Sequence, residues 1–170
     1  MYPHNVKKLN KMAIKSRSFL KNSNSDFHNI LDSIELAVKE TSSPTGTATV
    51  LTNADSGKVI FMDASSNNTI TLPAVSTVDS GWNVKVILTV TGAAGIINTS
   101  GAEDKLVGHV VEQAANGSNH TVTADADADR ITFVNGAAPG DFVEFTSDGS
   151  LFYVFGRSAL ENKITLTKED

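Results

Sequence analysis

From Thr47 to Thr167 the chain is a series of short segments in which apolar and polar residues alternate, and this series constrains the fold most strongly. Each segment mixes β-branched and aromatic residues, with Gly, Asn, Ser or Asp nearby. The pattern predicts strands at 47–52, 58–64, 68–72, 82–91, 106–112, 130–135, 141–147 and 151–157, with a last short one at 164–167.

No helical pattern of about 10–15 residues separates these segments, so a parallel α/β sheet is disfavoured. We therefore predict an all-β body, built as an antiparallel β-sandwich or a jelly-roll-like barrel. No sequence repeat of about 20–50 residues is evident, which argues against a solenoid or a propeller. The lone Trp82 opens the most apolar segment, 84–90, and both are expected in the core.

The best-marked turn is Asp148-Gly149, a dipeptide typical of a β-hairpin. The two strands that it joins are rich in aromatic residues: Phe142, Phe145, Phe152, Tyr153 and Phe155. Because side chains alternate across a strand, these rings fall on both faces of the hairpin, and one core cannot bury them all. Some rings are therefore expected to face a neighbour, which points to oligomerisation.

The N-terminal part has a different chemistry from this body. Its first 25 residues carry no acidic side chain and six basic ones, Lys7, Lys8, Lys11, Lys15, Arg17 and Lys21, whereas residues 46–170 contain 15 acidic and 7 basic residues. We divide the chain into a basic arm, 1–45, and a β-body, 46–170, joined by a hinge at 41–46 around Pro44. An extended strap on a partner protein is the most economical interpretation of the arm. A lipid-binding arm would need a broader apolar face, and a targeting peptide would need a cleavage pattern.

One amphipathic helix is predicted within the arm, at 25–40. Ser25 is suited to its N-cap, and one face carries Phe27, Ile30, Leu31, Ile34 and Val38. This apolar stripe packs either on the β-body of the same chain or on another subunit, and the sequence leaves both open. The arm's six basic residues together with Phe27, Ile30, Leu31 and Ile34 are the predicted partner-binding residues.

The search for catalytic chemistry finds no phosphate loop, no nucleophile elbow and no zinc-protease motif. The chain has no cysteine, which excludes disulfides and thiolate sites and fits assembly in a reducing cytoplasm. Its histidines are His4, His28, His109 and His120, and no spacing predicts that they converge. We therefore expect no enzyme activity and no cofactor. We also expect no membrane span, since no apolar run approaches about 18 residues.

One acidic stretch suggests a metal site. Asp125, Asp127 and Asp129 alternate with alanines, which on an extended chain places three carboxylates on one face, and Ca²⁺ prefers such oxygen ligands. The glycine and glutamate that an EF-hand loop needs at its sixth and twelfth positions are Arg130 and Gly136 here. A solvated acidic connector is the favoured interpretation, and calcium is the alternative.

The hairpin sequence also resembles a known group of proteins. Its run at 140–156, GDFVEFTSDGSLFYVFG, resembles a C-terminal pattern of small virion structural proteins of tailed bacteriophages. The resemblance extends upstream through SGK at 56–58, TITLP at 69–73 and GWNVKV at 81–86, and does not include the arm or the helix. It implies a capsid decoration, or cement, protein: a β-rich body, often trimeric, on the outer surface of the major capsid protein lattice. The group has no catalytic residues.

Two functions therefore compete. In the first, the protein is a homotrimeric cement subunit that binds the assembled capsid through its arm. In the second, it is a tail-fibre or receptor-binding module whose body recognises glycans, which the scarcity of aromatic residues outside the last hairpin disfavours. A glycan-active enzyme has no residue in its favour. Direct nucleic-acid binding is also disfavoured, because the arm has little aromatic interleaving and the body carries a net charge of −8.

Overall fold

The structure is a computed structural model that describes residues 40–42, 48–103, 105–124 and 127–168. Within these ranges lie twelve strands. They are β1 Glu40–Ser42, β2 Thr49–Val50, β3 Lys58–Asp63, β4 Asn68–Thr71, β5 Asn83–Val90, β6 Gly95–Asn98, β7 Leu106–Gln113, β8 Asn119–Thr123, β9 Arg130–Phe133, β10 Phe142–Ser147, β11 Phe152–Ser158 and β12 Ile164–Thr167. Short 3-10 turns lie at Asn53–Asp55, Val75–Thr77 and Ser100–Ala102. In this part of the chain no helix is long and apolar enough to cross a membrane.

The strands form two sheets that pack as a sandwich, which confirms the predicted fold class. The seven-stranded sheet has the order β1-β3-β5-β10-β11-β7-β8, and the five-stranded sheet has the order β12-β9-β6-β4-β2. Both sheets are mixed, so the expectation of antiparallel pairing throughout is corrected. Strands β1, β3 and β5 run parallel in one sheet, β2, β4 and β6 run parallel in the other, and β11 pairs parallel with β7.

The parallel pairs arise because the chain alternates between the sheets from β1 to β6. Each strand is followed by a crossover to the opposite sheet, so the next strand of the same sheet runs in the same direction without an intervening helix. No sequence repeat marks this winding, because the residues that pair between its strands differ in type: Ile60 pairs with Val86 in one sheet, whereas Asn68 pairs with Gly95 in the other.

The core lies between the sheets and is built by the strand alternation. Val84, Val86 and Leu88 of β5 point inward and are buried, as predicted for this segment. Trp82 is also buried: its indole N–H donates to the carbonyl of Thr52 at 3.1 Å, and its ring meets that of Phe152 edge to face at 5.6 Å. An aromatic N–H needs such a partner when buried.

Several local features differ from the predictions. Strands β6 and β8 were not predicted: β6 has four residues and starts at Gly95, and β8 alternates between exposed and half-buried positions, with no buried side chain. The arm and residues 25–39 of the predicted helix lie outside the described residues. Glu40, predicted as the last helical residue, instead begins β1, and Thr41 and Ser42 of the predicted hinge continue it. Their backbone pairs with Val59–Phe61 of β3, so these three residues extend the seven-stranded sheet.

Candidate binding surface

The hairpin of β10 and β11 places aromatic rings on both of its faces, as its alternation predicts. Phe145 and Phe152 point inward and are fully buried. Tyr153 and Phe155 point outward and are 47% and 46% exposed, while Phe142 is half-buried on the same outer side. These outward rings identify the outer face of the seven-stranded sheet as a candidate binding surface.

Strand register assembles the surface from residues far apart in the sequence. Across four strands, Lys85, Glu144, Phe155 and His109 lie directly opposite one another in one row. We call this row and its outward neighbours the outer aromatic face, which consists of Lys85, Val107, His109, Phe142, Glu144, Tyr153, Phe155 and Arg157. His109 was not singled out from the sequence, because its position beside Phe155 depends on the parallel pairing of β7 with β11.

Contacts within the outer aromatic face hold its side chains in defined positions. The rings of His109 and Phe155 lie edge to face, with centroids 5.8 Å apart, and those of Phe142 and Phe155 are tilted at 6.5 Å. The Lys85 Nζ lies 3.9 Å from the Phe142 ring centroid and 2.7 Å from Glu144 Oε1. Because neighbouring side chains already restrict these rotamers, this face loses less conformational entropy when a partner binds.

Tyr153 is fixed by the hairpin turn. Its hydroxyl donates to Asp148 Oδ2 at 3.0 Å, and Asp148 Oδ1 accepts the backbone N–H groups of Ser150 and Leu151 at 2.7 and 2.8 Å. The hydrogen bonds from Leu151 and Ser150 lower the pKa of Asp148. The hydrogen bond to Asp148 in turn raises the pKa of Tyr153. The turn therefore orients an exposed ring as well as joining two strands.

The opposite outer face of the sandwich differs in chemistry. On the five-stranded sheet, Arg130 Nε donates to Asn98 Oδ1 at 3.1 Å, and the half-buried outward positions of the neighbouring strands are mostly threonines: Thr69, Thr71, Thr132, Thr165 and Thr167. Cross-strand threonine pairs are an ordinary way to stabilise a solvated sheet. Within the described ranges, the exposed Tyr and Phe side chains are Tyr153 and Phe155, and both lie on the seven-stranded sheet.

A shallow groove borders the outer aromatic face at one end. Phe142 and Arg157 belong to both, and the other lining residues are Gln113, Pro139, Gly140, Asp141 and Ala159. Asp141 is buried and braces the groove: its carboxylate accepts the Ala138 N–H and the Ser158 hydroxyl, both at 2.9 Å. Because Asp141 bonds inward, Arg157 is the charged group that the groove offers to a ligand.

The acidic stretch predicted as a weak calcium site is divided by the structure. Asp127 is exposed, with a carboxylate oxygen 3.8 Å from Lys168 Nζ, whereas Asp129 is buried. Asp125 lies outside the described residues. Over the ranges that the structure covers, no group of three or more His, Asp or Glu side chains is arranged to hold a metal ion. The predicted arm residues, from Lys7 to Ile34, also lie outside the described residues.

A buried carboxylate that the sequence reading missed joins the two sheets. Glu112 of β7 accepts the backbone N–H groups of Asn162, Lys163 and Ile164 at 2.7, 2.8 and 2.7 Å, and His120 Nδ1 lies 3.3 Å away. Burial raises the pKa of Glu112, but these hydrogen bonds outweigh it and leave the pKa below its ordinary value. One signal was present: Glu112 occupies an inward position in the apolar β7. Its role is structural, because its partners belong to the chain itself.

The arrangement as a whole offers a mixed aromatic and charged surface whose side chains contact one another. Such a surface is suited to binding a protein or a sugar ring. No family model matches this chain, and no curated protein matches it.

Proposed function

We propose that this protein is a structural protein of a tailed-phage virion that decorates the outer surface of the capsid and stabilises the head. The observation that carries the proposal is the β10–β11 hairpin. It contains the run that resembles phage virion proteins, and it presents Tyr153 and Phe155 on an exposed, pre-ordered face that can contact a neighbouring subunit, as a protein that works in several copies requires. The proposed activity is binding, with no catalytic step and no cofactor.

Stabilisation follows from selective binding to the assembled lattice. A protein that binds only the mature shell adds its binding free energy to that state by mass action. The basic arm, with Lys7, Lys8, Lys11, Lys15, Arg17 and Lys21, is proposed to lie on acidic capsid surface, and the stripe of Phe27, Ile30, Leu31 and Ile34 to dock on a neighbouring protein. In a homotrimer three arms bind together, so that modest single contacts produce stable attachment.

A second candidate, glycan recognition by a tail-fibre or receptor-binding module, is favoured by one observation. Tyr153 and Phe155 lie two residues apart on the same strand face, and exposed rings of this kind can stack on sugars. Copy number separates the two functions. A cement protein is present in about as many copies as the lattice has equivalent sites, on the order of hundreds, whereas a fibre has a few dozen at most.

The direct test uses heads of the phage that carries this gene, prepared without the protein. Adding the full chain should saturate the heads at a fixed number of copies per capsid subunit and raise the temperature at which they release DNA. Unassembled capsid protein should bind far more weakly. Failure to bind mature heads, together with binding to host glycans, would replace the cement function with the receptor function.

The role of the arm is tested by deleting residues 1–39, which leaves strand β1 intact. The shortened chain should fold, as shown by fluorescence of its single Trp82, and should decorate heads at least tenfold more weakly because the contacts of three arms are lost. Undiminished decoration by the shortened chain would show that the arm is not the attachment device.

A further inference from the structure

We propose that the outer aromatic face is where copies of this chain contact one another, around a rotation axis that runs along β11. The inference deepens the proposed function, on which it rests only in expecting several copies per binding site. It is carried by the two hydrogen-bonding side chains on either side of Phe155, a carboxylate on β10 and an imidazole on β7.

Phe155 has an acidic neighbour on one side and a histidine on the other. Glu144 of β10 and His109 of β7 both lie directly opposite it in register. A rotation axis along β11 brings the β10 side of one copy against the β7 side of the next. Glu144 then meets His109 of the neighbouring copy, and the Phe155 rings of all copies lie close to the axis.

In the adjacent rows the flanking side chains are uncharged, so the rotation brings no like charges together there. Phe142 and Val111 flank Arg157, so the rotation brings an aromatic ring against an aliphatic side chain. In the row of Tyr153, Thr146 of one copy meets Val107 of the next. Arg157, in the row of Phe142, is the one charged side chain of the face that would lie against the same side chain of the other copy. It is exposed at the end of the face, beside the groove, where a long side chain extends into water.

The existing ion pair also favours a second copy over a charged partner. The Lys85 ammonium is 2.7 Å from Glu144 and lies over the Phe142 ring. The part of the face on β5 and β10 is therefore close to neutral. A strongly charged ligand would meet no excess of opposite charge except at Arg157. A mixed, nearly neutral and aromatic face is typical of contacts between identical subunits.

The size of the face predicts the strength of association. Four strands spaced about 4.8 Å apart and five residues of about 3.3 Å each cover about 300 Å². Stable partners usually each contribute about 800 Å². We therefore expect two or three copies to associate with a micromolar rather than nanomolar dissociation constant, and attachment to the lattice to complete the assembly.

Cysteine crosslinking tests the position of the axis, because the chain has no cysteine of its own. Tyr153→Cys introduces a thiol on the outer side of β11 and leaves Phe155 in place. Under mild oxidation it should form a covalent dimer of the full chain. Leu160→Cys is the matched control, since Leu160 is also 47% exposed but lies outside the face, and it should remain uncrosslinked. Equal crosslinking of the two variants, or none in either, would overturn the proposal.

Sedimentation of the full chain tests the energetics. Phe155→Ser should weaken self-association at least tenfold, as expected for an aromatic residue at the centre of an interface, while Leu160→Ser should not change it. His109→Glu should also weaken it, by placing two carboxylates together, and His109→Glu with Glu144→Gln should recover most of the loss. Trp82 fluorescence verifies that each variant is folded.

Measuring head binding alongside separates this inference from the proposed function. A chain that is monomeric at all concentrations but still decorates heads would overturn the inference and leave the function standing. A chain that associates through Phe155 and binds no heads would overturn the proposed function and leave the inference standing. Protection of the face by glycans or by capsid protein, without contact between copies, would also overturn the inference.

Discussion

The carboxylate of Glu112 accepts the backbone N–H of Ile164 at 2.7 Å, joining the seven-stranded sheet to the first residue of β12 in the five-stranded sheet. Lys163 donates to the same oxygen at 2.8 Å, and Asn162 donates to the other at 2.7 Å. Three consecutive amides therefore depend on one side chain. Without it, one buried and two partly buried N–H groups would lack their acceptor, which is costly.

Replacing Glu112 should therefore destabilise the fold. Glu112→Gln keeps one acceptor oxygen but turns an NH₂ group toward backbone donors, and should cost about 2–3 kcal/mol of the free energy of unfolding. Urea denaturation followed by Trp82 fluorescence measures the change. Glu161→Gln, at an exposed position in the preceding turn, is the control and should have almost no effect. Equal stability of the two variants would show that the three hydrogen bonds contribute nothing net.

Stability should also fall in acid through the same group. The pKa of Glu112 in the folded protein lies below its ordinary value of 4.5, so the unfolded chain takes up the proton first. The stabilisation is complete above about pH 5.5 and is lost as the pH falls through the folded pKa. Urea midpoints between pH 7 and pH 3 should decline less steeply in Glu112→Gln than in the wild type. Parallel curves would contradict this assignment.

Gly108 should not tolerate a side chain. Its φ of 141° lies outside the range that L-residues adopt readily, and a Cβ there would overlap the backbone carbonyl of Val154 on the paired strand. Gly108→Ala should cost about 3 kcal/mol or prevent folding. Gly117→Ala is the control: φ is also positive, at 81°, but no atom lies within 4 Å, so only the backbone term of about 1 kcal/mol remains. Similar losses in the two variants would refute the steric argument.

The hydroxyl of Tyr153 should titrate above its ordinary value of 10.0, because the hydrogen bond to Asp148 favours the protonated form. Absorbance at alkaline pH follows its ionisation, with Tyr2 as the other tyrosine of the chain. Asp148→Asn should bring the Tyr153 pKa down toward 10.0, because it removes the carboxylate. The raised pKa also means that this contact stabilises the fold below pH 10 and is lost as the pH rises further. A titration curve that Asp148→Asn leaves unchanged would disprove the contact.

Local sequence chemistry was enough for the main elements of the fold. Alternation predicted most of the strands. Asp148-Gly149 identified the hairpin of β10 and β11, and the apolar run at 84–90 identified a core strand. Alternation also showed that the hairpin rings could not all be buried. These properties depend on residues that are close together along the chain, so the sequence reports them directly.

The direction of strand pairing could not be predicted from residues that are close together along the chain. The sequence expectation was antiparallel, but β1–β3–β5 and β2–β4–β6 are parallel because crossovers between the sheets replace the helices that usually connect parallel strands. Glu40 followed a helical pattern and nevertheless forms an edge strand, since its backbone pairs with Val59. In both cases long-range backbone hydrogen bonds overrode the local signal.

The sequence by itself determined that the chain has a β-rich body, a hairpin with aromatic rings on both sides, and an N-terminal stretch of basic composition. Only the tertiary structure decided which residues accompany those rings. It set His109 and Glu144 on either side of Phe155, and it brought Glu112 beneath the amides that precede β12. The physical reason is register: a strand's own pattern sets which side chains point outward, but pairing with distant strands sets their neighbours.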